Sequence, residues 1–125
     1  MKPTRAISIR QPAAELILRG VKKAEYRSRI TKIRGRVMIY AAIRSLDWPA
    51  GWRKVGKQPG KLPVGPIVGS VEIVGCKWDG RRECFAYGLV GSKRTRPYLK
   101  AKNQPQDPGS SAAVRQGHLD CRPAR

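Results

Sequence analysis

Acidic residues are scarce in this chain: 8 Asp and Glu stand against 27 Lys and Arg in 125 residues, a formal net charge of +19. A shortage of that size excludes an acidic or charge-balanced surface and creates a positive potential that attracts polyanions. Long apolar runs are missing as well. No window approaches the ~20 uninterrupted apolar residues of a membrane-spanning helix, and the first ten residues lack the apolar segment of a secretory signal. The three cysteines, Cys76, Cys84 and Cys121, show no CxxC spacing, so neither a disulfide framework nor a zinc site is expected. The single histidine, His118, stands near Cys121 far along the chain from the other two cysteines. No metal and no cofactor are therefore expected. The expectation is a soluble cytoplasmic protein, a monomer with no membrane contact.

What the chain does contain is enough apolar residue to fold. With glycine these make about 47% of it, inside the roughly 45–50% band of globular proteins, and the length suits one domain. Residues 1–91 hold 19 basic and 6 acidic residues, net +13, and the remainder is net +6. The charge thus belongs mainly to the patterned part rather than to a basic arm.

Alternation of Ile7 and Ile9 with Ser8 and Arg10 predicts a half-buried strand over residues 6–10. Pro12 suits the first turn of a helix carrying Glu15, Leu16, Ile17 and Leu18, which Gly20 can close in the left-handed conformation. A second strand is predicted over residues 24–30, with Glu25, Arg27 and Arg29 on one face and Tyr26, Ser28 and Ile30 on the other. The apolar residues 35–42 read as a central strand. Residues 44–66 form a long connection, with a short helix after Asp47 carrying Trp48 and Trp52. Strands follow over residues 66–76 and 84–90, with Asp79-Gly80 marking the turn between them. Past Ser92 the periodicity fades. The domain is expected to occupy residues 1–100, leaving 101–125 as a basic tail without ordered structure, most of all from residue 104 onward.

Residues 22–36 concentrate the charge: Lys22, Lys23, Arg27, Arg29, Lys32, Arg34 and Arg36, with Glu25 as the sole acid. On a strand, alternation would project such charges from one surface, where they could hold phosphates. Glu25 reads either as a structural partner of Arg27 or Arg10, or as a group that positions Lys22 or hydrogen-bonds a base. Glu72, mid-strand between Val71 and Ile73, reads either as the exposed side of an edge strand or as a carboxylate working in a cleft.

Taken together, residues 6–12 (AISIRQP), Glu15-Leu16-Ile17 and the segment Gly20-x-Lys22-x-x-Glu25-x-Arg27 resemble the ASCH domain, the activating-signal-cointegrator homology domain related to the PUA fold. The likeness extends over roughly residues 4–98 and includes Gly35-Arg36-Val37 and residues 66–72. It implies an α+β fold: a PUA-like small mixed β-barrel of about five or six strands with short helices at the barrel mouth. It also implies RNA or nucleotide binding in a cleft at the GxKxxExR segment. One branch of the family hydrolyses the acetyl amide of N4-acetylcytidine with a Lys, a Thr and a Glu. By position the Lys is Lys22 and the Glu is Glu72, whereas Glu25 stands in place of the Thr. Two further departures are Ala13, where many relatives carry an aromatic residue, and residues 102–125, which offer no closing apolar strand.

Three functions follow as expectations. The first is binding of RNA or a nucleotide, not yet distinguished from DNA, by Arg10, Lys22, Glu25, Arg27 and Arg29, with Tyr26 or Tyr40 stacking on a base. The second is hydrolysis of RNA or a modified nucleoside, ribonuclease-like or N4-acetylcytidine amidohydrolase-like, with Lys22 and Glu72 catalytic. The third is a coactivator-type interaction module that engages a protein partner through Trp48 and Trp52.

Overall fold

The computed structural model describes residues 5–100, so the expectation for the tail lies outside the described residues. The elements are β1 (Ala6–Arg10), α1 (Ala13–Leu18), β2 (Ala24–Arg27), β3 (Gly35–Ala42), α2 (Pro49–Val55), β4 (Pro66–Asp79) and β5 (Cys84–Lys100). They form one five-stranded mixed sheet in the order β1-β3-β4-β5-β2, parallel only between β1 and β3. This is the expected α+β architecture.

β1, α1 and β3 fall where hydrophobic periodicity places them. β1 nonetheless buries Ser8 as well as Ile7 and Ile9, because both of its faces are covered. α1 begins after Pro12 and ends through Gly20 at φ 76°, a conformation that glycine adopts without steric penalty. β2 stops at Arg27, three residues short of the expected end. β4 and β5 are much longer than their apolar cores suggested: β5 runs through Gly91 to Lys100, since the ladder with β4 persists where side chains turn polar.

Register shifts at Ile67/Gly69, Ser70/Glu72 and Ile73/Gly75 bend the long β4–β5 hairpin, as bulges do by raising local twist. Gly69 lies at one of them, so close to its neighbours that a Cβ there would stand 2.3 Å from the Lys93 carbonyl oxygen and 2.5 Å from Leu18 Cδ2. The bending brings the two ends of the strand order together. Arg27 on β2 donates from its guanidinium to the Ser8 carbonyl on β1, so a side chain bridges the seam where a closed barrel would have a backbone ladder.

The main core joins Ile7, Ile9, Ile17, Ile39, Val68, Val71, Ile73 and Leu89. A second cluster joins Leu16 to Trp52, Val55 and Leu62, with Trp48 packed against it. The tryptophan pair is thereby withdrawn from the protein-docking role expected of it: Trp52 is buried and donates its indole N–H to the Leu46 carbonyl at 3.1 Å. Helical spacing put both rings on one face, and that face is the one turned toward α1.

Candidate nucleic-acid interface

The turn after α1 sets up the site. The amides of Val21 and Lys22 both donate to the Leu16 carbonyl, at 3.0 and 3.1 Å, folding the chain back so that Lys22 enters β2 with its side chain turned inward. Its ammonium donates to the Ala24 carbonyl, lies 3.6 Å from Glu25 Oε1, and stands 4.7 Å from the centre of the Tyr26 ring. Glu25 is almost wholly buried, and its Oε2 accepts from Arg27 Nε at 3.0 Å.

These contacts correct the expectation that the β2 charges project outward together. Glu25 and Arg27 face the interior of the curved sheet, paired across the ladder with Tyr87 and Phe85, while Tyr26 faces out. A carboxylate and a guanidinium can share that interior because each neutralises the other and the Ser8 carbonyl takes a further guanidinium N–H. Arg27 is therefore occupied within the fold and is not presented to a phosphate. Burial pushes the Lys22 amine below the ordinary lysine range; Glu25 pulls it back up in part, and the charges of Arg82 and Arg27 push it down again.

Tyr26 is capped by cations. Besides Lys22, the Arg82 guanidinium sits 4.0 Å from the ring centre, within cation–π range. Arg82 comes from the β4–β5 turn, where Asp79 Oδ1 accepts from the amides of Arg81 and Arg82, at 2.9 and 3.2 Å, and Asp79 Oδ2 accepts from Arg82 Nη1 at 3.0 Å. Those hydrogen bonds, led by the Arg82 amide, hold the Asp79 carboxyl below its usual range. Lys77 belongs to the same cross-strand row as Tyr26, through Ala86, and is exposed.

Other nominated residues lie elsewhere. Tyr40 is 3% exposed, locked in the central strand between β1 and β4, and cannot stack on a base. Glu72 faces outward with its side chain 46% exposed, 4.0 Å from Arg36, and pairs across the ladder with Arg36 and Val90. The structure does not bring it to Lys22, whose polar neighbours are Ala24, Glu25 and Tyr26. Arg10 is partly exposed at the end of β1, and Arg29 is exposed just beyond β2, its carbonyl accepting from the Tyr87 hydroxyl at 2.7 Å.

A second buried carboxylate has no signature in the sequence. Glu15, on the first turn of α1, accepts Arg94 Nη1 on Oε1 at 2.9 Å, Arg94 Nη2 on Oε2 at 2.8 Å, and Arg19 Nε at 2.7 Å. Burial pushes its carboxyl up, and the hydrogen bonds of Arg94 and Arg19 more than reverse that. No local pattern could have paired positions 15 and 94. Glu15, Glu25, Glu72 and Asp79 are thus all engaged by neighbouring cations, while Lys23, Lys32, Arg53, Lys54, Lys57, Lys61 and Lys77 are exposed. An open pocket of about 670 Å3 beside α2 is lined by Asp47, Trp52, Arg53 and Lys57 among others, but by none of the nominated site residues.

The chain matches the ASCH domain over residues 7–103. It therefore belongs to the ASCH domain family, whose fold is PUA-like. A sequence search of curated proteins finds no match. Among the described residues no helix is long and apolar enough to cross a membrane.

Proposed function

We propose that this ASCH domain protein binds RNA through the basic surface around Lys22, Tyr26 and Arg82. The observation that carries the reading is the division of charge: Glu15, Glu25, Glu72 and Asp79 are engaged by cations of the fold, Glu15 and Glu25 in the interior, while Lys23, Lys77 and neighbouring cations remain on the surface. Arg10, at the end of β1, and Arg29, just beyond β2, are the further phosphate contacts in this reading. Arg27 acts through Glu25, which sets the position and charge of Lys22. Phosphate contacts of this kind supply affinity with little sequence readout.

Titrating a fluorescently labelled RNA with the protein at increasing NaCl tests the reading. The expected plot of log affinity against log salt falls with a slope of about 0.7 per phosphate held. Affinity that ignores salt would remove the proposal.

A hydrolytic reading rests on one observation, the buried amine of Lys22 beside Glu25. An amine relieved of its proton could attack an amide or activate water. Its test is turnover of N4-acetylcytidine and of RNA by the wild type against Lys22→Ala. Equal background in the two proteins eliminates it.

A further inference from the structure

Resting on the RNA-binding reading, we infer that Trp78, at the end of the β4–β5 hairpin beside the turn that carries Arg81 and Arg82, is a stacking platform for a ligand that reaches over the hairpin end from this surface, and that the ligand is engaged as a single strand with unpaired bases. Both tyrosines expected from the sequence to stack are otherwise engaged: Tyr40 is inside the sheet, and Tyr26 carries Arg82 and Lys22 against its ring. Trp78 differs from them and from the other two tryptophans. It is 57% exposed, whereas Trp52 is buried and Trp48 packs on the second core cluster.

The ring is exposed yet held. Trp78 pairs across the ladder with Phe85, and the two rings meet edge to face, with centroids 5.3 Å apart and planes at 72°. Phe85 in turn is packed against the main core and pairs with Arg27 on β2. An indole anchored on such a support loses little further freedom when a base covers it.

Its surroundings select an anionic partner. Arg81 and Arg82 follow Trp78 in the turn, and Asp79 is committed to the turn amides and to Arg82, whereas Lys77, in the row of Ala86 and Tyr26, points to the other face of the sheet from Trp78, which shares the row of Phe85 and Arg27. An apolar protein surface would have to desolvate these cations without compensation, whereas a nucleic-acid strand meets them with phosphates while a base meets the ring. Paired bases are already stacked on their neighbours and offer the indole no free face. A duplex can therefore use the cations but not Trp78.

The test compares the wild type, Trp78→Ala and Trp78→Phe for binding of a labelled single-stranded oligoribonucleotide and of a duplex, each across a salt series. Trp78→Ala is expected to weaken single-strand binding about tenfold or more, the scale of one base–aromatic stack. Trp78→Phe should lose less, duplex binding should be unchanged, and the salt slope should stay constant because every cation that holds a phosphate is still present. Single-stranded RNA should also quench tryptophan fluorescence in the wild type but not in Trp78→Ala. Wild-type protein that binds neither ligand overturns this inference together with the RNA-binding reading. Wild-type protein that binds, with both variants binding equally well, overturns this inference alone. So does concentration-dependent self-association that Trp78→Ala abolishes without changing RNA affinity, since the ring would then serve a second copy of the chain.

Discussion

Arg94 grips Glu15 with two parallel hydrogen bonds, 2.9 and 2.8 Å long, across 79 positions of sequence. The contact fastens the far half of β5 to α1, and Tyr98 adds its hydroxyl to the same guanidinium at 3.2 Å. Arg94→Ala leaves the buried carboxylate with Arg19 alone, and a cost of about 2–3 kcal/mol is expected from the loss of charge-assisted bonds in a mostly buried pair. Urea unfolding followed by tryptophan fluorescence measures it. Glu15→Gln should cost less, since an amide can still accept from Arg94.

The same pair makes stability depend on acid pH. The Glu15 carboxyl titrates below its ordinary value near 4.5 in the folded protein. Its contribution is therefore fully present above that value and is lost as pH falls through the folded one. Unfolding free energy should drop on acidification below about pH 4.5, and more shallowly in Glu15→Gln. Parallel curves for the two proteins would show that Glu15 is not the group responsible.

Lys22 should titrate below the ordinary lysine range. Competitive acylation with an amine-reactive reagent, read peptide by peptide against pH, is expected to place the Lys22 midpoint below the ordinary lysine value near 10.5. Glu25→Gln removes the one carboxylate that supports the ammonium and should move the midpoint lower still. Because the folded value lies below the unfolded one, the unfolded chain binds more protons between the two, and stability should rise with pH across that window.

Gly69→Ala tests the bend of the β4–β5 hairpin. The added Cβ would enter the space of a backbone oxygen, Lys93 O, which cannot yield as a flexible side chain does. A loss of about 1–3 kcal/mol is expected from the overpacking, and each kcal/mol should lower Tm by about 4–8 °C in a domain of this size.

Lys23→Glu combined with Lys77→Glu tests the proposed surface without touching buried groups. RNA affinity should fall, and the salt slope should flatten by roughly 0.7 for each phosphate that the double variant no longer holds. Thermal unfolding should be almost unchanged, because both side chains are exposed.

Much of the architecture was legible in sequence. Ile7 and Ile9, the helix bounded by Pro12 and Gly20, and the apolar run of residues 35–42 all fell where side-chain periodicity put them, because a buried face repeats locally and its period identifies the element. The strand ends were less legible. β4 and β5 extend beyond their apolar residues on backbone hydrogen bonds, which leave no mark on side-chain pattern.

For the site, sequence alone determined which residue types were present and roughly where: a concentration of cations over residues 22–36 with one carboxylate among them, in a chain that matches the ASCH domain over residues 7–103. Direction and partnership were decided only by the tertiary structure. Whether Glu25 looked in or out depended on Ser8 and Arg27 meeting across the seam of the sheet, and whether Tyr26 was open depended on Arg82 arriving from the β4–β5 turn. Glu72 turned outward and Glu15 inward for the same reason. A charge is buried only where counterions and hydrogen-bond partners meet it, and the partners that come from far along the chain, Arg94 for Glu15 and the Ser8 carbonyl for Arg27, arrive only once the chain has folded.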